Sequence, residues 1–251
     1  MVVSSNVLTH FTNNISNIEN ILTHNFIPRL CKENFSFLSE DSRDILIPMV
    51  CFCDIPLHLI HEHISDYGAY GLGLSKDWGI KNGLNPIIYL EKETLLSKSF
   101  NEIFENISDL NSPDVEKNAN ILVNFFKIYC LLKPYQGTGK NGKKKIFYEE
   151  REWRYIPKSL HKTCTDGDML GLTLFGDEVT KEKKNEIEEI LNNEPLIFQP
   201  GDVKYIFIDN ENERKNIIDM IKKIKSAKYP PEEIEILCSK IISYNQFSKD
   251  L

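Results

Sequence analysis

Along the chain, apolar positions switch between a period of two, the signature of a half-buried strand, and a period of 3.6, that of an amphipathic helix. NVLTHFT at 6–12 reads as a short strand, after which Ile15, Ile18, Ile21, Leu22 and Phe26 recur at helical spacing, the helix stopping near Asn25 ahead of Pro28. DILIPMVCFCDIP at 44–56 is a near-continuous apolar run ending at proline, the pattern of a buried strand. PIIYL at 86–90 predicts a strand, followed by a helix over about 91–107 and, after Pro113, a strongly apolar helix through 133. DMLGLTLFGD and VKYIFID read as strands; KEKKNEIEEILNN, NERKNIIDMIKKIK and EEIEILCSKIISY read as helices, the last introduced by Pro230 and Pro231. The sum is an α+β fold in a single domain over 1–251, with 228–251 as a C-terminal helical appendage.

The stretch at 137–157 breaks the rhythm. GTGKNGKKK carries glycines at 137, 139 and 142 and the lysines Lys140, Lys143, Lys144 and Lys145, and so predicts a mobile basic loop. It runs straight into IFYEEREWRYIP, where Ile146, Tyr148, Trp153, Tyr155 and Ile156 predict a strand. On that strand Glu150, Glu152 and Arg154 share one face and Glu149 takes the other. Two carboxylates and a guanidinium are costly to bury unless they pair or do chemistry. The opposite reading is an edge strand with a solvated charged face.

Composition narrows the classes. The chain of 251 residues is 41% hydrophobic and 27% charged, ordinary for a globular protein, and no apolar run reaches the roughly 18 residues of a membrane span. No secretory signal is visible at the start, so a cytoplasmic protein is expected. Six cysteines without repeated spacing suit reduced thiols better than a disulfide framework. A net charge of −7 argues against a general nucleic-acid coat but permits a locally basic site.

Candidate chemistry lies in three separated pieces. His10 sits on the first strand. Gly68, Gly71 and Gly73 accompany Tyr67 and Tyr70 and resemble a binding loop, in which glycines let a backbone approach a ligand and tyrosines offer flat stacking faces. The third piece is the glutamate-bearing strand. Cys51, Cys53, His58, His61 and His63 invite a zinc reading, but the Cys-x-Cys spacing and the lack of a second ligand pair argue for no metal, with His58 and His61 on a polar helix face and His63 turned away. Chemistry at a ribose carbon bearing nicotinamide needs hydrogen bonds to the ribose, an aromatic wall, and a carboxylate beside a cationic transition state, which a His, a Tyr and a Glu supply.

At these residues the sequence resembles ADP-ribosyltransferases of the His-Tyr-Glu type, including the DarT-like nucleic-acid-modifying toxins. The resemblance implies a split β-sheet core with flanking helices that clamps NAD as substrate. It implies His10 on the adenosine-side ribose, with Phe11, Thr12 and Arg154 in the same site, and Tyr67 or Tyr70 stacked on nicotinamide. Glu152 is then catalytic, Glu150 auxiliary, and Lys140, Lys143, Lys144 and Lys145 draw in a nucleic-acid target. No arginine lies near His10 before Arg29. A longer match, through NVLTHFT, IPMVCFCDIP, YGAYGLGLSKDWG with NPIIYL, FYEEREWRYIP and KYIFID, is similar to the bacterial AbiGi family of abortive phage-resistance proteins, described as antitoxins. It implies phage defence, with a nucleic-acid or protein acceptor, a cognate toxin or antitoxin, and a phage-derived trigger as partners. Two classes stand open: a transferase, or a non-catalytic antitoxin or sensor.

Overall fold

The computed structural model describes residues 4–38, 44–108, 121, 124–139, 142–162, 174–175 and 180–248. The first half of the chain forms β1 (Val7–Thr12), α1 (Ile15–His24), β2 (Arg29–Asn34), β3 (Asp44–Cys53), α2 (His61–Tyr67), β4 (Tyr70–Ser75), α3 (Lys76–Lys81), β5 (Asn85–Pro86), β6 (Ile88–Leu90) and α4 (Leu95–Ser108). The second half adds α5 (124–129), β7 (Leu132–Pro134), β8 (Gln136–Thr138), β9 (Lys144–Ile146), β10 (Glu152–Tyr155), α6 (Ser159–Lys162) and β11 (Leu174–Phe175). It closes with α7 (Lys181–Asn192), β12 (Val203–Ile208), α8 (Arg214–Lys225), α9 (Pro231–Ser239), β13 (Ile241–Ser243) and α10 (Tyr244–Phe247).

The main sheet is mixed, in the order β13-β12-β4-β1-β3-β10-β5, with β2 and β11 also on β3. β1 pairs with β4 along its whole length, from Val7↔Ser75 to Thr12↔Tyr70. With β3 it shares one pair only, Thr9↔Cys53. Beyond that pair the two strands part. β3 is long enough to serve different neighbours along its length: Asp44 to Met49 pair with β2, and Val50 to Cys53 with β10. The sheet is therefore split between β1 and β3, and α1 connects the two lips.

Three apolar clusters fix this shape. Leu8, Ile18, Leu22, Leu72, Leu74, Ile206, Ile217, Ile221 and Leu237 join α1, α8 and α9 to one face of the sheet. Phe35, Ile47, Met49, Tyr129, Leu132, Ile187 and Leu191 pack around β3 and β7. Phe11, Ile60, Ile64 and Phe207 hold α2 to the opposite face of β1. No helix among the described residues is long and apolar enough to cross a membrane.

Several expectations need correction. The glutamate strand starts only at Glu152: residues Phe147–Glu150 form a 3-10 turn, and Arg151 closes it in the left-handed region, φ 45° and ψ 50°. The apolar helix expected through 133 gives way to β7, because Leu132–Pro134 pairs in parallel with β6. The last helix expected over EEIEILCSKIISY ends at Ser239, and Ile241–Ser243 joins the sheet beside β12. There the Arg214 guanidinium donates to Ile241 O at 2.9 Å. A tertiary pairing has overridden the helical period in both places. The basic stretch forms the β8–β9 hairpin, Gln136↔Ile146 to Thr138↔Lys144, with Gly142 at φ 75° in its turn; Lys140 lies outside the described residues.

Candidate functional site

The split opens into a cleft of about 680 Å³. β1 contributes Thr9, His10, Phe11 and Thr12 to its wall, α1 and the turn after it Asn17 and Asn25, and β2 Arg29 and Glu33. His63, Tyr67, Lys133, Glu150 and Glu152 meet at one end.

His10 spans the gap that the strands leave. Its Nδ1 lies 2.8 Å from Cys51 O, and because a carbonyl can only accept, Nδ1 carries the proton. Burial lowers the His10 pKa, with the Cys51 bond opposing, so the ring is neutral near pH 7 and its Nε2 keeps an acceptor lone pair. The ring is held edge-on by Phe26 and Phe52, with centroids at 5.4 and 5.7 Å.

The carboxylate end is built on the turn before β10. Glu150 and Glu152 are only 3% and 7% exposed and Arg154 is fully buried, which overturns the solvated-edge reading. Lys133 from β7 donates to Glu150 Oε2 and to Glu152 Oε2, each at 2.6 Å. Arg154 Nε donates to Glu152 Oε1 at 2.6 Å, and its Nη1 to Cys130 O at 2.8 Å. Its Nη2 sits 3.1 Å from Glu33 Oε1 but lacks hydrogen-bond geometry. Glu150 Oε1 accepts from the Tyr67 hydroxyl at 2.8 Å and pairs with Lys145 Nζ at 2.7 Å; Lys145 also reaches Asp66 on α2. Glu33, Asp66, Glu150 and Glu152 thus face Lys133, Lys145 and Arg154, which leaves one negative charge in excess.

That network sets the protonation states. Burial alone would raise the Glu152 carboxyl, but Arg154 and Lys133 hold it far below the usual carboxylate range. Glu150 is likewise lowered, against its burial, by Lys133 and Lys145. Burial opposes the charge on Lys133, yet Glu152 and Glu150 raise its pKa well above that of a free lysine. Burial and then Glu150 push the Tyr67 hydroxyl up, so it stays a proton donor. Burial also lowers His63 to about 4.

Of the sequence-predicted residues, His10, Phe11, Thr12, Tyr67, Glu150 and Glu152 line the cleft together. Tyr70 does not; its hydroxyl donates to Glu213 at 2.7 Å on another part of the surface. Arg154 does not line it either, and stands behind Glu152 as a positioning residue. The glycines of the expected binding loop serve packing rather than a ligand. Gly68 sits at φ 97°, where a Cβ would lie 2.3 Å from Asn13 Cα, and a Cβ on Gly71 would lie 2.8 Å from His10 O. Lys143 and Lys144 are exposed on the hairpin, whereas Lys145 turns inward to the carboxylates.

Lys133 and His63 were missed. His63, expected to turn away, stacks on Tyr67 at 4.4 Å and so occupies the flat face expected to meet nicotinamide. Among the described residues no group of three or more His, Cys, Asp or Glu is placed to hold a metal ion. Among the described residues Cys31, Cys51, Cys53, Cys130 and Cys238 form no disulfide, and Cys164 lies outside those residues.

Residues 24–209 match the family profile described as abortive phage resistance protein AbiGi, antitoxin. The chain is also 32% identical, over 253 residues, to the abortive phage resistance protein AbiGi of Lactococcus lactis subsp. cremoris, covering 90% of this chain and 99% of that one. No solved structure matches the chain.

Proposed function

The chain belongs to the AbiGi family of abortive phage-resistance proteins, and on that premise we propose that it acts in phage defence as an NAD-dependent ADP-ribosyltransferase. The observation that carries this reading is the split between β1 and β3. It gathers His10, Tyr67 and the Glu150 and Glu152 carboxylates, far apart in sequence, around one cleft. A volume of about 680 Å³ falls within the ~300–1,000 Å³ typical of small-molecule and cofactor sites.

The residues suit NAD as a substrate. Neutral His10 accepts a hydrogen bond from a hydroxyl of the adenosine-side ribose, and Arg29 on the rim meets the pyrophosphate. The bond between the ribose C1′ and nicotinamide breaks with its electron pair going to nicotinamide, which leaves neutral and needs no proton. Positive charge develops on the ribose beside the Glu150 and Glu152 carboxylates, in a cluster that with Glu33 and Asp66 carries one excess negative charge. A bond from the acceptor to C1′ then forms, and the acceptor's proton passes to solvent water while the Glu150 carboxylate stabilises the charge that develops on the acceptor. Both carboxyls stay ionised, so they stabilise charge rather than donate protons. A glycosidase-type mechanism, which needs one carboxyl raised to act as acid, is disfavoured on the same ground.

A specific observation supports the second reading, a non-catalytic antitoxin or sensor. Every oxygen of Glu150 and Glu152 already has a lysine, arginine or tyrosine partner, as in a purely structural ion network. Nicotinamide release from NAD by the purified chain, alone and with RNA, single-stranded DNA or cell lysate, separates the two. The transferase reading expects release that disappears in a folded Glu152→Gln variant. Absence of both release and NAD binding under all these conditions selects the antitoxin or sensor.

A further inference from the structure

We infer that the surface beside the carboxylate pair receives a single-stranded nucleic acid, its bases stacking on Tyr135 and Tyr148 and its phosphates meeting the lysines of the β8–β9 hairpin. As the acceptor of ADP-ribose this partner rests on the transferase reading above; as a ligand it rests on the surface alone.

Tyr135 and Tyr148 are 37% and 48% exposed, and their rings stack at 5.8 Å with an interplanar angle of 29°. They are held together through the backbone, since Tyr148 N donates to Tyr135 O at 3.2 Å. Tyr89 meets Tyr148 edge-on at 5.3 Å, and the Arg151 guanidinium lies 5.9 Å from the Tyr148 centroid. Phe35, Phe52, Phe198 and Phe207 are almost completely buried, whereas among the described residues Tyr135 and Tyr148 are the two exposed aromatic (Phe, Tyr or Trp) side chains, and they stand side by side. They need no such exposure for the fold, because the hairpin and the 3-10 turn are already fixed by their own backbone pairing.

Flat rings and cations together are what sequence-tolerant single-strand binding uses: every base has a π face, and lysines track the phosphates. Lys143 and Lys144 supply the charge at the hairpin end. Glu149 is exposed beside Tyr148 and Glu91 accepts from Gln136 at 2.9 Å, so the local field is mixed and stacking must carry more than charge does. A duplex hides its base faces and cannot stack here. The platform also touches the chemistry: Tyr148 and Glu150 belong to one 3-10 turn, and Tyr89 Oη accepts from Glu152 N at 2.9 Å. A base on Tyr148 therefore rests on the turn that presents the carboxylates.

The test is binding of fluorescein-labelled dT12 and U12, and of a 12-base-pair duplex, to the full chain without NAD, followed by anisotropy. One or both single strands should bind, and either should outcompete the duplex; the stronger arm names DNA or RNA. Tyr135→Ala with Tyr148→Ala should weaken binding at least tenfold. Lys143→Ala with Lys144→Ala should weaken it and lower the salt dependence. Tyr148→Leu keeps apolar volume but removes the π face, and should also weaken binding if the double variant misfolds. No single-strand binding overturns the inference and leaves a protein acceptor in its place. So does binding unmoved by the tyrosine variants, or a duplex that binds as tightly. Nicotinamide release, measured separately, decides the transferase reading whatever the oligonucleotides do.

Discussion

The two ends of the cleft treat polar groups in opposite ways. Along β1, His10 makes a hydrogen bond to Cys51 O and retains an acceptor atom, while Arg29 stands exposed on the rim. At the β10 end Glu150 and Glu152 are buried and every carboxylate oxygen is matched. Such a network is rigid and intolerant, because removing one partner strands a largely buried charge. The β1 end has affinity to spare; the β10 end has stability to lose. Substitutions at the two ends should therefore separate binding from folding.

The sharpest break is Lys133→Met, which leaves two facing carboxylates without their shared cation. It should cost about 3–5 kcal/mol in chemical denaturation at pH 7. A loss below ~1 kcal/mol would mean that Lys145 and Arg154 suffice.

Next in size is an acid effect at His63, whose folded pKa is lowered to about 4 from an ordinary value near 6.5. As the pH falls between these values the unfolded chain takes up a proton that the folded chain refuses. Stability should fall through that window by about 3 kcal/mol, at ~1.4 kcal/mol per pH unit. Glu150, Lys145, Lys133 and Asp66 surround the ring, and burial of the imidazole is the largest cause of its shift, so His63→Phe should flatten this part of the profile while keeping the stack on Tyr67.

His10→Gln tests the other end. It should change stability by only about 1 kcal/mol, the worth of one hydrogen bond, yet weaken NAD binding at least tenfold in calorimetry. Equal losses in both measurements would erase the contrast between the ends. Smallest of all, Lys143→Ala with Lys144→Ala should leave stability within about 0.5 kcal/mol, as expected of exposed charges.

Local periodicity was enough to read β1, α1, β3 and α8, because each buries a face dictated by its own spacing. It failed where a distant partner decides. Leu132–Pro134 carries the apolar run of a helix, but β6 captures it as a strand. Ile241–Ser243 has the spacing of α9 but pairs with β12. The site was legible through residue type at His10, Tyr67, Glu150 and Glu152. Lys133 was not, although a lone lysine in the apolar run IYCLLKPY is itself a signal, since a cation there demands a buried partner. His63 gave no comparable sign: its place against Tyr67 depends on how α2 seats on β1.

The single pairing of Thr9 with Cys53 also bears on when the molecule can first act. The cleft takes residues from Thr9 to Glu152, so a growing chain that has emerged only through α4 has both lips but lacks Lys133, Glu150 and Glu152. Such long-range closure is slow compared with local helix formation. During synthesis the carboxylate end of the cleft is therefore the last part of the site to be completed.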